Sequence, residues 1–236
     1  AALRKRGLVV QPFKVGPDFI DPTHHTQVCG RESRNLDPFM MTEENVRKTF
    51  VSATKGADIA VIEGVMGLYD GVDGGDESST AHVARILDAP IILVADVKGM
   101  SRSCGALVSG YTGFDKSLRF AGAVLTKGGS ERHRSMVCSA LPIPVLGWIP
   151  RTEALAVESR HLGLLLAEED SRMKQTAELI EETCLLDEIL KAASAAPAVS
   201  AAADAEEKEP AFTLAAASDS AFCFSYADNF PALRNA

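Results

Sequence analysis

Four short stretches of this sequence bring together residue types that do chemistry in concert. The first is Lys14-Val15-Gly16-Pro17-Asp18-Phe19-Ile20-Asp21-Pro22, directly after a strand-length apolar run from Gly7 to Phe13. A Gly-Pro turn would leave one lysine and two aspartates at the carboxyl end of a strand. That combination suits an ammonium facing a phosphate, beside carboxylates that hold a metal ion or position a substrate. A surface turn whose acids cap nearby amides would use the same letters without chemistry. His24 and His25 follow; lacking a third ligand at suitable spacing, they read as packing or substrate hydrogen-bonding groups rather than as a metal site.

The second stretch runs Val61-Ile62-Glu63-Gly64-Val65-Met66-Gly67-Leu68-Tyr69-Asp70-Gly71 and on to Gly75. An apolar strand ending in a carboxylate has the form of a Walker-B-like acid, an oxygen held rigidly enough to share Mg²⁺ with nucleotide phosphates. Five glycines between Gly64 and Gly75 let the backbone approach a ligand closely or move as a flap. An ordinary Gly-rich loop would explain the glycines less well and leaves Glu63 without a role. The third stretch, Asp76 to Thr80, opens a helix: Ser78 or Ser79 suits an N-cap, and helix N-termini also receive anions. The fourth, Leu125 to His133 (LTKGGSERH), is again a strand end leading into a helix.

These motifs need a scaffold, and the hydrophobic pattern supplies one. Strand-length apolar runs at Gly7–Phe13, Asp58–Ile62, Pro90–Ala95, Phe120–Leu125 and Val145–Ile149 alternate with helical stretches at Thr42–Ala57, Ser78–Leu87, Ser101–Tyr111 and Glu131–Leu141. Thr42 reads as the N-cap of its helix. Most strands lack two-residue alternation, as expected where helices cover both faces of a parallel sheet. The fold class is therefore α/β with a doubly wound, mostly parallel sheet, whose ligands bind at the strands' carboxyl ends. Each motif above starts where a strand stops.

Beyond Ile149 the pattern changes. Ser171–Lys191 is expected to be one long surface helix closing the domain. Eight of the twelve residues from Ala192 to Ala203 are alanine and an acidic run follows, which reads as a solvated linker or a helix extension. Ala221–Ala227 (AFCFSYA) is strand-like and suggests the opening strand of a second domain.

Composition excludes several classes. The 236 residues carry 24 Lys+Arg against 32 Asp+Glu, a net charge of −8, with 46% apolar residues, so the whole chain is not disordered. Between Glu153 and Glu209 lie 14 acids and 5 bases, and no basic face is available for nucleic acid. No apolar run approaches the ~18 residues that a membrane helix needs. Five scattered cysteines without a CxxC pair argue against a disulfide framework or a thiolate zinc site and suggest a reducing, cytoplasmic setting. Because the chain begins without Met, an organellar location stays open. The phosphate-cradling pattern G-x-x-x-x-G-K-[S/T] is absent; Ala1–Arg6 reads as the last turns of a helix, which would put such a loop upstream of this chain.

The run Gln11–Pro22 (QPFKVGPDFIDP), then His25, Ser33–Asp37 (SRNLD), Glu63–Gly71 (EGVMGLYDG), Ser79–Ala81 (STA) and Gly129–His133 (GSERH) closely resembles the ATP-binding synthetase domain of the cobyrinic acid a,c-diamide synthase family, over roughly residues 1–165. Dethiobiotin synthetase, a more distant relative, shares the strand-Lys and Val-Glu-Gly elements but not the GLYDG loop. The resemblance implies a P-loop NTPase-like fold of the dethiobiotin synthetase kind. It also implies ATP- and Mg²⁺-dependent amidation of two carboxylates on a corrin-type tetrapyrrole, in cobalamin biosynthesis. Each carboxylate would be phosphorylated and then attacked by glutamine-derived ammonia. Residues 1–191 would form the synthetase domain, 192–217 a linker, and 218–236 the start of a glutaminase-like domain. This stretch of chain alone is expected to bind ATP weakly and to be inactive; a homodimer is left open.

By the same resemblance, Lys14 would neutralise the transferring phosphate, Asp18 and Asp21 would lie near the reacting carboxylate, and Asp70 would serve turnover or loop closure. Glu63, with Asp18, would hold Mg²⁺. Lys14, Thr126 and Gly128 would contact the nucleotide, and Asp21, His25, Tyr69, Ser79 and Thr80 the substrate. The family usually has Asn where this chain has Thr126, which can still hydrogen-bond but lacks an amide's paired donor and acceptor. A competing reading is a partitioning-type P-loop ATPase relative acting as a nucleotide-dependent scaffold; such a protein has no reason to keep Asp18, Asp21 and Asp70 around a Gly-rich loop.

Overall fold

A computed structural model describes residues 1–152, 173–202, 212–217, 219, 222 and 224–234. The chain divides into two compact units. One comprises Leu8–Val83 with the described residues of Val199–Ala236; the other comprises Ala1–Gly7 with the described residues of Ala84–Glu158 and Ser171–Ala198.

The first unit is built on a three-stranded parallel sheet in the order β2-β1-β3, with β1 at Val10–Val15, β2 at Arg34–Leu36 and β3 at Ile59–Glu63. All six residues of β1 are buried, as its unbroken apolar pattern predicts. Phe13, fully buried on this strand, stacks on Phe50 of α3 (Pro38–Ala53) with ring centroids 5.1 Å apart. Between β1 and β2 runs α2 (Asp21–Cys29), closed by Gly30 at φ 62°. It occupies the stretch for which the sequence suggested only a turn.

The α3 helix also starts earlier than expected. Pro38 sits in its first turn and Asp37 caps it, accepting from the Phe39 and Met40 amides. Thr42 interrupts it at φ 72°, and its Oγ1 accepts from the Asn45 amide at 3.4 Å, so the expected cap serves the second half of a kinked helix.

The second unit carries another three-stranded parallel sheet, in the order β4-β5-β6. Its strands are β4 (Ile91–Asp96), β5 (Phe120–Gly128) and β6 (Val145–Pro150). Leu93, Val97, Val108, Leu125, Val137 and Trp148 form its core with α5 (Ser103–Phe114) and α6 (Glu131–Cys138). Ala2, in the short α1 (Ala2–Lys5), packs with Leu146, Cys184 and Leu186 in a second cluster. The α/β class and the parallel pairing are as the sequence predicts. The strands form two sheets rather than one because, among the described residues, β3 pairs only with β1 and β4 only with β5.

Two expectations fail locally. The single helix expected over Ser171–Lys191 is two: α7 (Met173–Thr183) and α8 (Leu186–Ser194). Cys184 breaks it by bridging Gly147, while the Leu185 amide donates to the Leu146 carbonyl at 2.7 Å. The strand expected over Ala221–Ala227 is not formed by its described residues, which find no strand to pair with; a short α9 (Asn229–Arg234) follows. The acidic run Asp204–Pro210, and Ala221 and Cys223, lie outside the described residues. No helix among the described residues is long and apolar enough to cross a membrane.

Candidate functional site

The site grows out of the β-sheet register of the first unit. Lys14, one residue from the end of β1, is the register partner of Asn35 on β2 and of Glu63, the last residue of β3. Side chains level with one another on neighbouring strands share a face, so these three side chains form a row at the sheet's carboxyl edge. After β1 the chain turns at Gly16, whose φ of 78° suits glycine. The buried Asn35 side chain holds this turn, donating to the carbonyls of Gly16 at 2.9 Å and Asp18 at 2.8 Å. Asp18 Oδ1 accepts from the amides of Ile20 and Asp21, and α2 begins there.

The turn thereby wraps carboxylates around one ammonium. Lys14 Nζ lies 2.5 Å from Asp21 Oδ2, 3.1 Å from Glu63 Oε1 and 3.6 Å from Asp18 Oδ2. His25 Nε2 meets the other Glu63 oxygen at 2.5 Å, and His25 Nδ1 is 3.3 Å from Ser33 Oγ. Burial works against the Lys14 charge, but Asp21 and Glu63 outweigh it and hold the ammonium above the ordinary lysine range. Burial likewise pushes the Glu63 carboxyl up, yet His25 and Lys14 together hold it below the usual carboxylate range. The cluster therefore sets the Lys14 ammonium against the carboxyl groups of Asp18, Asp21 and Glu63.

The structure thus brings Lys14, Asp18, Asp21, His25 and Glu63 together; Asp70, Ser79 and Thr80 are bonded elsewhere. Asp70 Oδ2 accepts from the Gly67 amide at 3.1 Å, closing the Gly-rich loop on itself, with the half-buried Tyr69 beside it. Ser79, fully buried, accepts from the His82 amide and donates to Asp76, capping α4 (Thr80–Leu87). Thr80 Oγ1 accepts from the Val65 amide at 2.9 Å and donates to the Val65 carbonyl at 3.2 Å, clamping the loop's root. Gly64 permits this approach, since a Cβ there would lie 2.8 Å from Thr80 Oγ1.

Sequence reasoning had Ser33–Asp37 only as a motif run and Ser78 only as a cap candidate; it missed the roles of Ser33 and Asn35 and the 2.7 Å bond between the Asp37 and Ser78 side chains. Asn35 lies within the SRNLD run, but its type alone carries no catalytic signature. It also missed that Phe19 stacks against Phe224 and Tyr226, and that Arg34 pairs with Asp228 at 2.8 Å.

In the other unit the carboxyl ends of β4 and β5 carry Asp96 and Thr126–Gly128. Lys127 Nζ lies 2.6 Å from Asp96 Oδ2, and Thr126 Oγ1 donates to the Ala95 carbonyl at 3.4 Å. Gly128 lies against Trp148, whose ring a Cβ there would overlap. His133 accepts from the Gly129 amide at 3.0 Å and meets Trp148 edge-on at 5.4 Å.

No group of three or more His, Cys, Asp or Glu side chains among the described residues is set to hold a metal ion by itself. Mg²⁺ normally needs only one or two protein carboxylates, completing its shell with water and substrate phosphates. Glu63 and Asp18 are hard oxygen donors of that kind, so the donor set fits a magnesium ion shared with a nucleotide.

Residues 33–159 match the model of a family described as "AAA domain". Across its whole length the chain is 43% identical to the cobyrinate a,c-diamide synthase of Syntrophotalea carbinolica, covering 54% of that protein. Over 97% of its length it is 40% identical to the cobyrinate a,c-diamide synthase of Picrophilus torridus, again covering 54%. It is also 42% identical over its whole length to the hydrogenobyrinate a,c-diamide synthase of Mycobacterium tuberculosis, covering 55%. The chain spans about half the length of these curated relatives.

Proposed function

The chain belongs to the AAA domain family, P-loop NTPase-like in fold, and from that premise we propose that it carries the synthetase half of an ATP- and glutamine-dependent amidating enzyme of cobalamin biosynthesis. The substrate would be the a and c side-chain carboxylates of cobyrinic acid or a close tetrapyrrole relative. The relatives' names support the substrate class. The observation that carries the chemistry is Lys14, held in register with Glu63 and flanked by Asp18 and Asp21 at the carboxyl edge of a parallel sheet.

A carboxylate is a poor acyl donor, and transfer of the γ-phosphoryl group of ATP onto it supplies a leaving group. Ammonia then attacks the acyl carbon and inorganic phosphate departs, leaving an amide. Lys14 offsets the negative charge of the transferring phosphoryl group, a positioning and electrostatic task. Glu63 and Asp18 would hold Mg²⁺, which when bound would neutralise phosphate charge. Asp21 and His25 orient the substrate carboxylate and its neighbours. Asp70, on the glycine-rich loop, serves turnover or closure, and Tyr69, Ser79 and Thr80 shape the substrate side. Ammonia comes from glutamine hydrolysed by a glutaminase-like domain.

The test supplies the full-length protein with Mg·ATP, glutamine and either cobyrinic or hydrogenobyrinic acid, and follows amides by mass spectrometry. Conversion of two carboxylates with stoichiometric ADP supports the reading. ATP hydrolysis without amide formation on either macrocycle would return the chain to the scaffold class.

A further inference from the structure

The Gly16–Asp21 turn is gripped from two sides, and only one of them belongs to the sheet. From inside, Asn35 ties its carbonyls to β2. From outside, the apolar ring of Phe19 is covered by residues some two hundred positions later: Tyr226 at 4.4 Å and Phe224 at 5.7 Å between centroids. The same late segment is pinned to β2 next to Asn35, because Arg34 bonds Asp228 at 2.8 Å while also holding Glu32 at 3.1 Å. All of these residues lie in one compact unit.

Residues 224–226 have no regular secondary structure, so their placement rests on side-chain contacts rather than on a hydrogen-bonded ladder. They also shape the site's surroundings. A cleft of about 370 Å³ is lined by Asp18, Phe19 and Ser33 together with Ser225, Ala227 and Phe230. Burial first, and then the negative charges of Asp37 and Asp18, hold the Tyr226 hydroxyl above the ordinary phenol range, so it stays protonated beside the acids.

We propose that residues 224–228 are a latch on the carboxylate-bearing turn, with Tyr226 and Asp228 as positioning residues for Asp18 and Asp21. The latch itself follows from the contacts; its consequence for turnover rests on the amidation reading above. Without this outer contact the turn, held from within by Asn35 and Lys14, would sample more orientations, and small misplacements of a reacting group cost rate rather than nucleotide affinity.

Two measurements on the full-length protein test this. Hydrogen exchange at the Ile20 and Asp21 amides, both bonded to Asp18, should accelerate about tenfold or more in Tyr226→Ala and Asp228→Asn but stay slow in Tyr226→Phe. Under amidating conditions kcat should fall about 10- to 100-fold in Tyr226→Ala with KM for Mg·ATP unchanged. Tyr226→Phe should restore it, and Arg34→Asp combined with Asp228→Arg should recover part of the loss of either single change. Unchanged exchange at Ile20 and Asp21 overturns the latch whatever reaction the protein performs. Faster exchange with wild-type kcat overturns the positioning role. A wild type that forms no amide refutes the amidation reading instead, and the exchange result still decides the latch.

Discussion

Lys14 and Glu63 are register partners on adjacent parallel strands, and their side chains meet at 3.1 Å at the sheet's edge. The pairing is a consequence of register: Val10 of β1 lies level with Ile59 of β3, which brings Lys14 level with Glu63, the last residue of β3. A one-residue slip would send one of the two to the opposite face. The site is thus specified by the same register that buries Phe13 and Val15.

Lys14 is the cation these carboxylates share, and it is 5% exposed. Lys14→Met should leave Asp18, Asp21 and Glu63 facing one another without it. Because the three acids are partly solvated, a stability loss of about 1–3 kcal/mol is expected rather than the full cost of an orphaned buried charge. Amidation should fall by about 10²-fold or more. Urea unfolding and single-turnover assays measure the two effects, and wild-type values in both would remove Lys14 from the site.

The pH dependence of stability has a defined sign. The Glu63 carboxyl sits below its ordinary 4.5 in the folded state, so its contribution is complete above 4.5 and is lost as pH falls through the folded value. Lys14 sits above its ordinary 10.5, so its contribution is complete below 10.5 and is lost as pH rises through the folded value. Asp228 has the opposite sign to Glu63. Burial, only partly offset by Arg34, raises it above 3.8, so stability falls as pH rises between 3.8 and its folded value. Acid unfolding should therefore show a shallower limb in Glu63→Gln and a steeper one in Asp228→Asn; parallel curves would contradict both assignments.

The root of the Gly-rich loop is a packing constraint. A Cβ on Gly64 would come within 2.8 Å of Thr80 Oγ1 and 2.9 Å of Thr80 Cγ2. Gly64→Ala should cost about 1–3 kcal/mol through overpacking. Thr80→Ala removes both obstructing atoms at the expense of the Val65 hydrogen bonds, so the double variant should lose less than the sum of the two. Additive losses on thermal denaturation would show that the two residues are not coupled.

The parts of this fold that sequence reveals are those where apolar runs end abruptly in charge. The runs leading into Lys14 and Glu63 do so, which is why both residues were legible as site residues. Helix α2 was not, because Asp21–Cys29 has no apolar face to give a 3.6-residue period; its start and stop come from Asp18 and Gly30. Strand β2 is three residues long, too short to carry alternation, yet it supplies Asn35 and Arg34. The break at Cys184 was hidden because the helical period continues through it; what stops the helix is a bridge to Gly147, a non-local contact. The Phe224–Tyr226 segment has a strand's composition but packs by its rings against Phe19.

Asp21 separates the amidation reading from that of a generic ATPase. It opens α2 and reaches Lys14 at 2.5 Å, three residues after Asp18, which bonds the Asp21 amide at 3.1 Å. Two carboxylates beside an anionic nucleotide would repel it unless Lys14 and a metal ion offset them, so the presence of both suggests work on the substrate side. Asp21→Asn preserves size and one hydrogen-bond acceptor while removing a charge, so the turn, held separately by Asn35, should stay folded. In the full-length protein this variant should slow macrocycle amidation by about 10²-fold or more while ATP affinity shifts little. Single-turnover amidation measured beside ATP affinity tests it. Equal losses in both, or none in either, would reduce Asp21 to a surface acid at the start of a helix.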